Sequence, residues 1–199
     1  MRVSIFDYGA GNLHSLAKAI ERSDTEVRLE TDPAAAVVDT DVLFLPGVGA
    51  FGAAAARLAP GRDAMREALE NGLPCLGICL GMQLLFDHSE EGIGSGLGLL
   101  PGAVSRIAAR RVPHIGWNTI EDTRDALFDS APLPMAYFAN GYVCRPESTA
   151  SVIAWTTHES DRFPAAVRHR RTIGVQFHPE KSSNAGVRFV HAFLDEVKR

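Results

Sequence analysis

The sequence predicts an α/β fold in which a mostly parallel central sheet carries antiparallel additions in its C-terminal half. Three observations lead there. Short apolar runs alternate with stretches of helical periodicity through the first half of the chain. Glycine-rich turns follow several of those runs. From Val112 to Phe177, strand-like runs recur with no long helix between them.

Val3-Ser4-Ile5-Phe6 is the first strand candidate. It stops at Asp7-Tyr8-Gly9-Ala10-Gly11-Asn12, after which Leu13, Leu16, Ala17 and Ile20 share one helical face. Val27-Arg28-Leu29 is the second strand. The third, Val42-Leu43-Phe44-Leu45, runs into Pro46-Gly47-Val48-Gly49 and an alanine-rich helical stretch. In the fourth unit, Leu73-Pro74-Cys75-Leu76-Gly77-Ile78 turns at Cys79 into a helix carrying Met82, Leu84, Leu85 and Phe86. Tyr137-Phe138, Val152-Ile153-Ala154 and Ile173-Gly174-Val175-Gln176-Phe177 are later strand candidates. An apolar stripe of Val187, Val190, Phe193, Leu194 and Val197 docks a last helix on the sheet.

A chain of 199 residues with 46% hydrophobic content supports one substantial core, so one domain over residues 1–199 is expected. The net charge of −4 offers no long-range attraction to nucleic acid or anionic lipid, and neither is expected as a partner. The N-terminus reaches Asp7 before any signal-like apolar run, and no stretch approaches ~18 apolar residues, which points to a soluble cytoplasmic protein. Cys75, Cys79 and Cys144 are odd in number and form no CxxC pair, which fits an intracellular thiol protein better than a disulfide framework or cysteine-rich zinc site.

Gly77-Ile78-Cys79-Leu80-Gly81, between a strand and a helix, has the layout of a nucleophile elbow, in which small neighbours let a tight turn project the reactive side chain. A thiol at a helix start meets free backbone N–H groups and the positive end of the helix dipole, both of which favour the thiolate. Taken singly, the segment is equally served by a structural cysteine between packing glycines. Cys75 and Cys144 read as small core residues.

A cysteine nucleophile needs a base and a group to orient it, and His178-Pro179-Glu180 supplies an imidazole and a carboxylate two residues apart. Pro179 biases His178 to an extended conformation, from which the carboxylate can fix the imidazole tautomer. Alone this tripeptide reads as an exposed turn; beside a cysteine elbow it reads as a catalytic pair. Pro46-Gly47-Val48-Gly49-Ala50-Phe51-Gly52 can present backbone N–H groups to a developing oxyanion, although alone it is a plain strand-to-helix turn, and it lacks the GK[ST] ending of a phosphate loop. His178-x-Glu180 resembles the start of a zinc deaminase signature, but no cysteine follows Cys144, so no metal and no cofactor is expected. Arg168-His169-Arg170-Arg171 reads as a solvated hairpin turn without a functional role.

Together, Pro46-Gly47-Val48-Gly49, Gly77-Ile78-Cys79-Leu80-Gly81-Met82-Gln83 and His178-Pro179-Glu180 closely resemble, in order and separation, the class I or triad glutamine amidotransferases. The resemblance implies their flavodoxin-like fold over most of the chain. Asp7-Tyr8-Gly9-Ala10-Gly11-Asn12-Leu13, Val112-Pro113-His114-Ile115-Gly116-Trp117-Asn118 and the extension to Lys181-Ser182 look in particular like the glutaminase subunits of imidazole glycerol phosphate synthases. That likeness implies a heterodimer with a (β/α)8-barrel cyclase, which receives ammonia through an internal channel and makes imidazole glycerol phosphate and aminoimidazole carboxamide ribotide in histidine biosynthesis.

The same resemblance implies residue roles. Cys79 attacks the glutamine side-chain amide, His178 moves protons, Glu180 orients His178, and the N–H groups of Gly49 and Leu80 stabilise the oxyanion; a glutamyl thioester then hydrolyses to glutamate. Gln83 and Glu91 map onto glutamine contacts, with Glu91 meeting the substrate ammonium group. Asn12 and Lys181 map onto partner-facing positions around the ammonia passage. Where many relatives read Tyr-Phe-Val-His-Ser-Tyr, this chain has Tyr137-Phe138-Ala139-Asn140-Gly141-Tyr142. Contacts to glutamine through the Gly141 and Tyr142 backbone would survive that change, whereas a side-chain role at the His-Ser positions would not. Other class I glutaminases, such as those serving anthranilate or pyridoxal phosphate synthesis, would share the triad but not the Val112–Asn118 segment. A regulatory subunit without turnover is disfavoured by the complete Cys-His-Glu set.

Overall fold

In a computed structural model, which describes residues 1–9, 13–22 and 24–198, strands and helices alternate through the first half as the apolar pattern requires. The first half runs β1 (Arg2–Phe6), α1 (Leu13–Ile20), β2 (Glu26–Glu30), β3 (Val42–Leu45), α2 (Phe51–Leu58), α3 (Arg62–Glu70), β4 (Cys75–Ile78) and α4 (Leu80–Gln83). A short β5 (His88–Ser89) and β6 (Gly102–Arg106) follow, then β7 (His114–Thr119), α5 (Ala126–Ser130), β8 (Met135–Asn140) and β9 (Tyr142–Pro146). The chain closes with β10 (Val152–His158), β11 (Asp161–His169), β12 (Thr172–Val175) and α6 (Ser183–Val197).

Among the described residues the main sheet has seven strands in the order β10-β11-β12-β4-β3-β1-β2. The five from β12 to β2 are parallel, and β11 and β10 add to that edge antiparallel. Alternation along β3 shows why helices cover both faces. Val42 and Phe44 join a core with Leu16 and Ile20 of α1 and with Phe189, Val190, Phe193 and Leu194 of α6. Leu43 and Leu45 join a second core with Phe51 and Leu58 of α2 and Met65 and Leu69 of α3. The closing helix thus carries the expected stripe, with Phe189 added and Val187 only half-buried.

One expected helix is much shorter than its pattern suggested. Past Cys79 only Leu80–Gln83 is α-helical, because the Leu84 and Leu85 carbonyls are taken by the N–H groups of Leu97 and Leu99, at 2.7 and 2.8 Å, instead of by the next helical turn. Leu84, Leu85 and Phe86 are fully buried, and an apolar run without a polar face carries no periodicity that separates a helix from the buried loop found here.

Because β1, β3, β4 and β12 are parallel, their C-terminal ends meet along one edge of the sheet. That edge collects the turn after β1, the Pro46–Gly49 loop, Cys79 and the segment from Gln176 to Glu180.

Candidate active site

Cys79 leaves β4 with φ 52° and ψ −104°, a region non-glycine residues rarely enter, at a cost of about 1–3 kcal/mol. Its flanking glycines make the turn possible. A Cβ on Gly81 would overlap the Leu45 carbonyl, and one on Gly77 would press on the Gly81 backbone. The Cys79 N–H donates to the Val175 carbonyl at 2.7 Å, locking the elbow to β12, and the residue is only 5% exposed. Since α4 is a single turn, the free N–H groups of that turn, and not a long dipole, adjoin the sulfur.

His178 follows β12 in the extended conformation expected before proline, with φ −102° and ψ 95°. Its N–H donates to the Tyr137 carbonyl and its own carbonyl accepts from the Ser182 hydroxyl, so the backbone that carries the ring is held on both sides. The Nδ1 nitrogen lies 2.8 Å from Glu180 Oε1, which selects the tautomer with a proton on Nδ1 and leaves Nε2 for Cys79. At rest Nε2 is buried without a partner of hydrogen-bonding geometry. Burial pulls the imidazole pKa down, but the nearby Cys79 sulfur and the Glu180 carboxylate outweigh it and raise it to about 9.

Beside the sulfur opens a cleft of about 160 Å³, lined by Val48, Gly49, Cys79, Leu80, Gln83, Glu91, Ala139, Asn140, Gly141 and Tyr142. It is below the ~300–1,000 Å³ of drug-sized pockets and suits a molecule as small as one amino acid. Larger open grooves along α1 and beside Ala108–Arg110 have no cysteine among the residues that line them.

The remaining sequence-predicted positions fall as follows. Gly49 has φ 132°, a conformation suited to glycine, on the cleft wall opposite Leu80. Gln83 is buried and its amide donates to the Tyr142 carbonyl at 3.1 Å. Glu91 borders the cleft while its Oε2 accepts from the Phe51 N–H at 2.9 Å, holding the start of α2. Gly141 has room for a side chain, since a Cβ there would come no closer than 3.6 Å to Val112. Lys181 lies outside the cleft with its Nζ 5.9 Å above the Tyr137 ring. Asn12 lies outside the described residues.

Sequence reading missed two participants. The Asn140 side chain is buried, donates from Nδ2 to the Tyr142 carbonyl at 3.0 Å and keeps Oδ1 unpaired. Gln176, fully buried, donates from Nε2 to Cys79 Sγ at 3.5 Å. Its position two residues before His178 was the available signal, because alternate residues of an extended segment face the same way.

The Arg168 cluster also differs from expectation. Arg168 is mostly buried and makes a bidentate pair with Asp125 and further bonds to Glu196; although burial opposes its charge, these partners raise its pKa. The solvated-turn reading holds for Arg170, at the hairpin corner with φ 52°, but not for Arg168.

A strand-end cysteine elbow facing a histidine–carboxylate pair beside a small cleft is the architecture of a triad amidase, and residues 4–197 match the glutamine amidotransferase class-I family, to which this chain belongs. Within it the chain falls among the imidazole glycerol phosphate synthase HisH subunits. It is 41% identical to the HisH subunit of Synechococcus sp. (strain JA-3-3Ab), covering 100% of this chain and 95% of that protein. To the HisH subunit of Halobacterium salinarum it is 40% identical over 97% of this chain and 92% of the other. A crystal structure of a glutamine amidotransferase superposes with a TM-score of 0.75 at 20% identity, covering 99% of both chains, a likeness of fold.

Proposed function

We propose that this chain is the glutaminase subunit of an imidazole glycerol phosphate synthase, hydrolysing glutamine at Cys79 and passing the ammonia to a cyclase subunit for histidine biosynthesis. The observation that carries the chemistry is Cys79 on the wall of an amino-acid-sized cleft, with the hydrogen-bonded His178–Glu180 pair close behind its sulfur. Cys79 Sγ attacks the side-chain carboxamide carbon, and the charge on the tetrahedral oxygen is met by the N–H groups of Gly49 and Leu80. His178 gives a proton from Nε2 to the departing ammonia, leaving a glutamyl thioester. It then takes a proton from the water that hydrolyses the thioester to glutamate. Glu180 keeps the ring in register throughout. Gln83, Glu91 and the backbone of Gly141 and Tyr142 hold the amino-acid end of the substrate.

The partner reading is supported by an exposed face next to the site. Ile115 (65% exposed), Trp117 (50%) and Met135 (46%) stand on the outer side of the β7–β8 hairpin, with Tyr137 paired to Trp117 and Lys181 over its ring. Such clustered aromatic and aliphatic exposure marks a protein-binding surface, and Tyr137 is one backbone hydrogen bond from His178. We assign this face, together with Asn12 and Lys181, to the (β/α)8-barrel cyclase. No helix among the described residues is long and apolar enough to cross a membrane; three free cysteines agree with a reducing, cytoplasmic setting.

The deciding experiment mixes the protein with glutamine, a barrel cyclase and its ribonucleotide substrate and follows glutamate and imidazole glycerol phosphate together. Both products are expected, and Cys79→Ala should abolish glutamate release. Glutamate without imidazole glycerol phosphate would assign the chain to another pathway.

A further inference from the structure

The polar groups behind Cys79 form a directional chain whose polarity is set by one backbone carbonyl. The Tyr142 carbonyl can only accept, so both Asn140 and Gln83 turn their NH2 groups to it, at 3.0 and 3.1 Å. The same Gln83 Nε2 reaches the Gln176 carbonyl oxygen at 3.5 Å, a long contact whose direction is nevertheless fixed by the shorter one. With its oxygen facing a donor, Gln176 must present its own NH2 to Cys79 Sγ, 3.5 Å away. No flip of the Gln176 amide is neutral here: reversing it would set carbonyl oxygen against sulfur and NH2 against NH2.

Backbone geometry makes the aim of Gln176 as constrained as that of His178. Cys79 and Gln176 stand at the ends of adjacent parallel strands, β4 and β12, joined by the Cys79 N–H to Val175 carbonyl bond. Between Gln176 and His178, Phe177 points the other way, into the core against Phe138 and Phe189. Two buried side chains separated by one core residue therefore approach the same sulfur from one stretch of chain, Gln176 at hydrogen-bond distance and His178 within electrostatic reach.

We propose that Gln176 is a further catalytic residue of this site: its side-chain N–H donates to Cys79 Sγ, favouring and aiming the thiolate, with Gln83 as the positioning residue that fixes which end of the amide faces the sulfur. The proposal rests on the reading of Cys79 as nucleophile. A donor that stays on sulfur throughout supports the thiolate without needing a proton transfer, whereas His178 must release its proton to the leaving ammonia. Gln176 thus stabilises the attacking form and His178 handles the proton. It also redefines Gln83, whose NH2 group is committed to Tyr142 and Gln176 and leaves only Oε1 for a substrate.

The test is the rate at which iodoacetamide alkylates Cys79 at neutral pH in the full-length protein, with Cys79→Ala as the blank and with the fold of each variant checked by circular dichroism. Gln176→Met keeps an unbranched shape and removes the donor; it should lower the alkylation rate about tenfold, the scale of one hydrogen bond to a charged group. Gln176→Glu places a carboxylate at the sulfur and should lower it further. Gln83→Met, one step removed, should give a smaller loss of the same sign, which keeps the test decisive if the Gln176→Met core does not fold. Wild-type alkylation rates in folded Gln176→Met or Gln176→Glu would overturn the proposal. In the complex with the cyclase, Gln176→Met should lower kcat for glutamate release with KM unchanged; a purely structural role would leave alkylation intact. Alkylation requires neither glutamine nor the cyclase, so failure here is distinguishable from failure of the pathway reading.

Discussion

His178 is buried among groups that favour its charged form, and the sign of the resulting pH dependence follows from that. Its folded pKa of about 9 lies above the ordinary 6.5, so the folded state binds this proton more tightly than the unfolded chain. The stability it contributes is fully present below pH 6.5 and is lost as the pH rises through about 9. Chemical denaturation of the wild type and His178→Asn should therefore show a stability difference that is largest near pH 6 and shrinks toward pH 9.5. Glu180→Gln keeps a hydrogen-bonding group near Nδ1 but withdraws the negative charge. Turnover in the complex should fall about 10²-fold with little change in KM, read from initial glutamate rates. An equal loss through KM would mean that Glu180 contacts substrate instead.

At the scale of elements, the site depends on how closely the elbow approaches its neighbours. Gly81→Ala would drive a methyl group into the Leu45 carbonyl between β3 and α4, with no flexible side chain to give way. The expected loss is about 3 kcal/mol or more, measurable by urea unfolding. Glu91 has a double position, on the cleft wall and at the first N–H of α2, just after the Gly49 loop. Glu91→Gln retains an acceptor for Phe51 and should chiefly raise KM for glutamine, whereas Glu91→Ala also removes the helix-end bond, worth about 1 kcal/mol. Equal effects of both substitutions on kcat and stability would show that the bond to α2 has no influence on the loop.

Across the whole molecule, segments distant in sequence are tied together by a few partly buried polar groups. Arg168 of β11 bridges Asp125 at the start of α5 and Glu196 in α6; Arg168→Met should cost on the order of 1–3 kcal/mol, since the pair is mostly but not fully shielded from water. On the β7–β8 hairpin, His114 is stacked between His158 and Phe138. Burial, and then the neighbouring His158, lower its pKa to about 4. The unfolded chain takes up this proton first, so the protein should lose stability as the pH falls from 6.5 toward 4. His114→Phe preserves the stack and should flatten that decline in melting experiments at pH 7 and pH 5. Because the outer side of the same hairpin is the proposed cyclase face, Trp117→Ala should weaken the complex at least tenfold in a titration while leaving the isolated fold intact.

Much of this was legible in the sequence because it is local. The inner parallel strands are largely apolar runs, such as Val42–Leu45, whose burial on both faces follows from composition alone. The elbow declares itself through glycines at positions 77 and 81, and the His178–Glu180 pair through a proline that sets the backbone between them. Misreadings came where contacts from afar overrode a local pattern. The run Leu84–Phe86 looked helical, but loop residues 97 and 99 take its carbonyls. Arg168 looked solvated, but Asp125 and Glu196 enclose it. By itself, the sequence determined the alternation of strands and helices in the first half of the chain, the candidate nucleophile Cys79 with its candidate His178–Glu180 pair, and the family to which the chain belongs. Only the tertiary structure decided that Gln176 faces the sulfur, that Glu91 holds α2 and that an apolar hairpin flanks the site. Each of those depends on segments far apart in sequence coming together in space, which a local pattern can hint at but not fix.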